Sequence, residues 1–303
     1  METSLRPSRP GRSLRSRRRV LGGFVGASSL LFVALGSSQG CGQPPPDCRA
    51  ARGDFAVRFT ATNGNCGNFK TGFVGLQSFY KKTADNGQDY EHIYLTMQSE
   101  VVGGVMQASQ GYGPDFVDTA HKAYGIGDFT SAVPDENNIC KVPTMSASEQ
   151  NIPEVPGEGG AGGAGSSSSG MGGAPACPEP PPPGPFPGAP ATDVKAEFSN
   201  VKVYVTAAAP GTQFVADMKY SENIDGQSCE ATYQLVGIWP VVDCGKYTED
   251  DCGNVTAEPD DTICHLTADK AQPGSVVINP EYKVTCDPDL LVCVPTEPVA
   301  QLK

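Results

Sequence analysis

The chain has 303 residues, with 22 Lys and Arg against 34 Asp and Glu, a formal net charge of −12. That balance excludes nucleic acid as a partner, because such binding requires cationic side chains to neutralise phosphates. It also excludes docking to an anionic membrane by charge, so any membrane attachment must be covalent.

The charge is unevenly placed. Seven arginines and one acid fall in residues 1–40, so a chain beginning at Cys41 carries about −18. The segment 1–40 has the order of an export signal: a basic start, an apolar run from Val20 to Leu35, then Gly36-Ser37-Ser38-Gln39-Gly40 before Cys41. The apolar run is short for a membrane span, which takes about 20 residues. Ser16-Arg17-Arg18-Arg19-Val20-Leu21 resembles the bacterial twin-arginine signal, which implies export in a folded state. The same basic-then-apolar order serves the general secretory route, and both stay open.

Gly40-Cys41-Gly42 resembles a bacterial lipoprotein cleavage site, which implies acylation of Cys41 and an outer-membrane anchor, with a secreted or periplasmic protein as the alternative. Cysteine parity agrees. Eleven cysteines are encoded, and lipidation of Cys41 leaves ten for pairing: Cys48, Cys66, Cys140, Cys177, Cys229, Cys244, Cys252, Cys264, Cys286 and Cys293. With its glycine- and proline-rich insert and late cysteine cluster, the chain resembles envelope lipoproteins of myxobacteria. That resemblance carries no functional residues.

Residues 41–53 form a proline-rich tether. A first half of folding material, 54–145, follows. Phe55, Val57 and Phe59 alternate on one face, the period of a strand. Thr71 to Tyr80 and Tyr90 to Met97 read as two more strands, joined through the turn signal Asp85-Asn86-Gly87. Ala123 to Val133 and Ile139 to Val142 are weaker strands. Val101 to Ala108 is ambiguous, since Gly103-Gly104 disfavours both strand and helix.

From 146 to 192 large apolar residues nearly vanish and Gly, Ser and Pro dominate, which predicts a disordered linker. In the second half, 193–303, Val194, Ala196 and Phe198, then Val201, Val203 and Val205, point to one face of a strand. Turns at Pro210-Gly211 and Asp225-Gly226 complete a three-strand meander ending near Trp239, which is expected to plug one end of the core. The fold class is all-β, an antiparallel sandwich or up-and-down barrel with disulfide-stapled loops and a long insertion. One β-domain with an inserted linker is favoured over two small ones, because larger cores bury more and long loops close at little extra cost.

Candidate chemistry is sparse. The cysteines lack Cys-x-x-Cys spacing and read as disulfides rather than metal ligands; Cys286 to Cys293 is a candidate for local closure. The Gly-x-Ser-x-Gly spacing occurs only at Gly36 to Gly40, inside the export signal, and no such elbow accompanies His92, His121 or His265, so no catalytic residue is assigned and no cofactor is implied. Glu249, Asp250, Asp251, Asp260 and Asp261 are a candidate calcium cluster, but the order of an EF-hand loop is missing and a solvated acidic loop is the default reading. Arg52-Gly53-Asp54 spells an integrin tripeptide, read here as chance. Tyr80, Tyr90, Tyr94, Tyr112 and Tyr124 crowd the first half; core and cross-strand packing is the ordinary reading, and they would suit a glycan or apolar ligand if they lined a sheet face. The reading is a non-enzymatic exported envelope lipoprotein that acts as a ligand-binding or envelope-associated module, with a glycan, a small molecule or an envelope protein as its partner. The alternatives are a structural partner of an envelope complex and a secreted hydrolase.

Overall fold

A computed structural model describes residues 46–157, 187–250, 254–265 and 278–303. The export signal with Cys41, the centre of the 146–192 linker with Cys177, and Asp251 with Cys252 lie outside the described residues.

Nine strands form one antiparallel sheet: β1 (Gly53–Gly64), β2 (Thr71–Lys82), β3 (Gln88–Ser99), β4 (Gly125–Asp128), β5 (Ile139–Thr144), β6 (Ser148–Ile152), β7 (Thr192–Val205), β8 (Pro210–Ile224) and β9 (Gln227–Ile238). Their order is β4-β3-β2-β1-β9-β8-β7-β5, with β6 also paired to β7. The sheet's two ends meet. Thr130 N–H donates to the Lys141 carbonyl at 2.9 Å, Ser146 N–H to Ile126 at 2.8 Å and Glu149 N–H to Lys122 at 2.9 Å. Around that ring, neighbours follow chain order, which is up-and-down connectivity. The all-β antiparallel expectation holds, and strands from both halves share one sheet.

Alternation places Phe55, Val57, Leu76, Leu95, Met97, Phe198, Phe214, Met218, Tyr233 and Leu235 in the main core, each at most 2% exposed. Trp239 is half-buried and packs against that core. In β7 the inward parity changes from even to odd between Phe198 and Val201. A bulge between Ser199 and Lys202, with Asn200 at φ 51°, accommodates the extra residue. The turn at Asp225-Gly226 has both residues at positive φ, 52° and 78°, as a tight hairpin requires.

Two expectations need correction. The ambiguous segment is a helix, α1 (Glu100–Tyr112), capped by Ser99, whose hydroxyl accepts from Val102 N–H at 3.3 Å. It packs against β2, β3, β6 and β7 with Val102 fully buried, so tertiary packing outweighs its glycines. The predicted linker is also shorter than composition suggests. Strand β6 lies inside it, and Val155 bridges to Ala189 by a reciprocal pair of backbone hydrogen bonds at 2.8 and 2.9 Å.

Residues after β9 cover part of the outer face. They include the hairpins β10 (Gly245–Glu249) with β11 (Val255–Pro259), and β12 (Val284–Cys286) with β13 (Cys293–Pro295). A second core, with Ile278, Tyr282, Val284, Val294, Val299 and Leu302, buries Ile139, Tyr204, Ile238 and Ala56. Among the described residues, four disulfides join Cys48 to Cys140, Cys66 to Cys229, Cys244 to Cys286, and Cys264 to Cys293. Cys286 and Cys293 face each other across β12 and β13, yet each is bonded elsewhere, so that local loop does not close on itself.

Candidate functional site

The outer face of β1 to β4 carries a groove of about 500 Å³, within the usual range for ligand pockets. Register builds it. Asp54 lies opposite Gly75, which lies opposite Gln98; Gln77 faces Thr96, and Thr96 faces Ile126; Phe79 faces Tyr94. These residues share the outward parity of their strands, while Leu76, Leu95 and Met97 point into the core.

Phe79 and Tyr94 stack with ring centroids 5.3 Å apart and an interplanar angle of 20°. Tyr124, just before β4, is 39% exposed on the rim, with the Lys122 ammonium 5.9 Å from its ring. Gly75 keeps the floor open: a Cβ there would come within 3.4 Å of Asp54 Oδ1. Arg52, Gly53 and Asp54 line the groove too, so all three residues of the tripeptide set aside as chance border it. The groove therefore joins aromatic faces to amide, hydroxyl, carboxylate and guanidinium groups, a combination suited to a polyhydroxylated ligand with apolar faces.

The five tyrosines do not form one cluster. Tyr94 and Tyr124 enter the groove. Tyr80 donates to Asp47 Oδ2 at 2.8 Å, which together with burial raises its pKa, and its ring meets Tyr90 at 5.0 Å. Tyr112 packs edge-on to Phe116.

The candidate calcium residues are likewise separated. Glu249 ends β10 and Asp250 follows in the turn, where its carboxylate accepts from Asn254; Asp260 and Asp261 follow the far end of β11. A five-residue hairpin, roughly 15 Å long, lies between the two pairs. Asp260 Oδ1 accepts from Thr262, and Asp261 Oδ1 accepts from Cys286 N–H and the Thr285 hydroxyl. These bonds hold both carboxyls below the usual range.

The histidines each sit beside an acid. His92 Nδ1 is 2.7 Å from Asp89, His121 Nδ1 is 2.8 Å from Asp118, and His265 Nε2 is 3.2 Å from Asp261. Burial works against ionisation of Asp118, but the Asn151 backbone N–H, the His121 side chain and two further N–H groups outweigh it and lower its pKa. The hydrogen bond to Asp118 in turn raises His121, with Glu149 and Asp193 adding to the effect. None of the three histidines lines the groove. Cys244, Cys264 and Cys293 converge, but their sulfurs are held in two disulfides and present no thiolate for a metal.

The sequence model of the MlpA family matches residues 53–240, more than half of the chain. The chain belongs to the MlpA family. A Myxococcus xanthus protein named "Putative lipoprotein MlpA" is 32% identical over 120 residues, 38% of this chain and 42% of that protein. The chain thus matches less than half the length of that relative. No solved structure matches. The matched segment holds all nine strands of the main sheet and every residue of the β1 to β4 groove except Arg52, and it ends before the disulfide-linked layer.

Proposed function

We propose that this protein is an exported envelope lipoprotein, anchored through an acylated Cys41, that binds saccharide in the groove of Phe79, Tyr94 and Tyr124. The stacked Phe79–Tyr94 pair beside Gln77, Gln98, Asp54 and Arg52 carries the reading. Aromatic faces take the C–H faces of a pyranose, and neighbouring amide and charged groups exchange hydrogen bonds with its hydroxyls. The name of the Myxococcus relative and the Gly40-Cys41 motif support the anchor. A lipid supplies the membrane attachment that an acidic chain cannot obtain from charge. The outer membrane is the destination in this reading, and the binding role is non-enzymatic.

Calorimetry of the purified protein against a panel of soluble oligosaccharides tests the groove. Binding by at least one sugar, weakened about tenfold or more by Tyr94→Ala, is expected. Binding that survives Tyr94→Ala and Phe79→Ala unchanged, or no binding across the panel, refutes it. For the anchor, a Cys41→Ala protein should leave the membrane fraction; one that still sediments with membranes sinks the lipid assignment.

A further inference from the structure

A second groove, of about 740 Å³, lies on the outer face of β5, β7, β8, β9 and β1. Its floor is one cross-strand row. Lys141 pairs with Lys202, Lys202 with Val215, Val215 with Val236, and Val236 with Arg58. Outward parity brings all five side chains to the same face, so two apolar residues sit between cations at both ends. Thr296, Glu297, Pro298 and Leu302 of the outer layer line the groove as well.

Two of the groove's four cations, Lys202 and Arg58, are without a carboxylate partner among the described residues. Arg58 donates only to the Pro295 carbonyl, at 2.8 Å. Lys141 is paired with Asp135 at 2.8 Å, outside the lining. Of the acids in the groove, Glu297 is already neutralised by Lys283 and Lys303, and Asp217 accepts from Asn200 Nδ2 at 2.7 Å. The lining holds four cations, Arg58, Lys141, Lys202 and Lys303, against two acids, in a chain with a net charge of −12. Such a reversal of local sign concentrates anions.

We infer that this groove binds an extended small molecule with an anionic group at each end and an apolar middle. One end meets Lys202 with Lys141, the other meets Arg58, and the middle lies over Val215 and Val236. Three strand spacings separate β7 from β1, roughly 14 Å, which sets the distance between the anionic ends. A singly charged ligand satisfies only one end and leaves the other cation unpaired. This site shares no residue with the saccharide groove, so the two readings stand or fall separately.

The probe is dodecanedioate, compared with 12-hydroxydodecanoate, which has the same length and one charge fewer. Calorimetry on the oxidised purified protein should show the diacid binding about fivefold to tenfold more tightly, an advantage that shrinks as salt rises. Lys202→Gln should remove most of that advantage and Lys202→Arg should keep it. Lys202 is partly exposed and makes no structural hydrogen bond, so both variants should fold, with circular dichroism as the check. Tyr94→Ala should leave diacid binding unchanged. Equal affinity for the two probes, full diacid binding by Lys202→Gln, or its loss in Tyr94→Ala would overturn the assignment.

Discussion

The Cys66–Cys229 disulfide is the bridge whose removal should cost most. It ties the loop after β1 to the start of β9, and the Tyr233 hydroxyl donates to the Cys66 carbonyl beside it. The two cysteines are 163 residues apart, and a loop of that length removes about 5 kcal/mol of chain entropy from the unfolded state. The Cys48–Cys140 bridge offers a shorter path. Eighteen residues separate Cys48 from Cys66 and 89 separate Cys140 from Cys229, about 107 in all. The dependence is logarithmic, so the shorter path lowers the figure only to about 4.7 kcal/mol. For a fold of this size, 1 kcal/mol moves the melting temperature by about 2–4 °C. The double variant Cys66→Ala, Cys229→Ala should therefore melt about 10–20 °C below the oxidised parent in near-ultraviolet circular dichroism. Mass spectrometry after alkylation must show the other bridges intact. A shift below about 3 °C would refute the constraint, as would alkylation of Cys66 in the unreduced parent.

His121 should titrate above 6.5 in nuclear magnetic resonance, because its bond to Asp118 favours the imidazolium. The sign follows from linkage: with the folded pKa raised, the stabilisation is complete below pH ~6.5 and disappears as pH climbs through the folded value. His121→Gln should then match the parent's melting temperature in alkali and fall below it in acid, and a midpoint at or below 6.5 contradicts this. Gly237 in β9 should resist enlargement, since a Cβ there would stand 2.1 Å from Cε1 of the fully buried Phe214 ring. Gly237→Ala is expected to cost about 1–3 kcal/mol in urea unfolding, and an unchanged midpoint would show that Phe214 moves aside freely.

The long strands β1 to β3 and β7 to β9 were legible because their information is local, whereas short β6 was read as linker. Alternation in β7 to β9 assigns inward and outward residues one by one, and even the bulge at Asn200 is written as a change of parity between Phe198 and Val201. Helix α1 was not legible in the same way. Its cap, Ser99 followed by Glu100, is present in the sequence, but Gly103, Gly104 and Gly111 cancel the propensity that a short helix needs. What stabilises it is Val102 against β-strands distant in the chain, a contact no local window contains. The cysteines show the same limit. Parity indicated pairing, while the partner choice depended on which strands became neighbours.

Both grooves were hidden for a further reason. A sheet face draws single residues from several strands, and their association depends on register. Tyr94 looked equivalent to Tyr80, Tyr90 and Tyr112 until Phe79 was placed opposite it and Gln77 opposite Thr96. Tyr80 differs from Phe79 by one position, which sends its side chain to the other face and its hydroxyl to Asp47. The cationic row is more scattered still, with Arg58 and Lys202 separated by 144 positions in the chain but joined through Val236 and Val215. In a chain so acidic, charge counting directs attention to Asp250, whose carboxylate closes its own turn, and to Asp261, whose carboxylate is tied to Cys286 of β12. The sheet instead gathers Arg58 and Lys202 on one face, where neither has a carboxylate partner among the described residues.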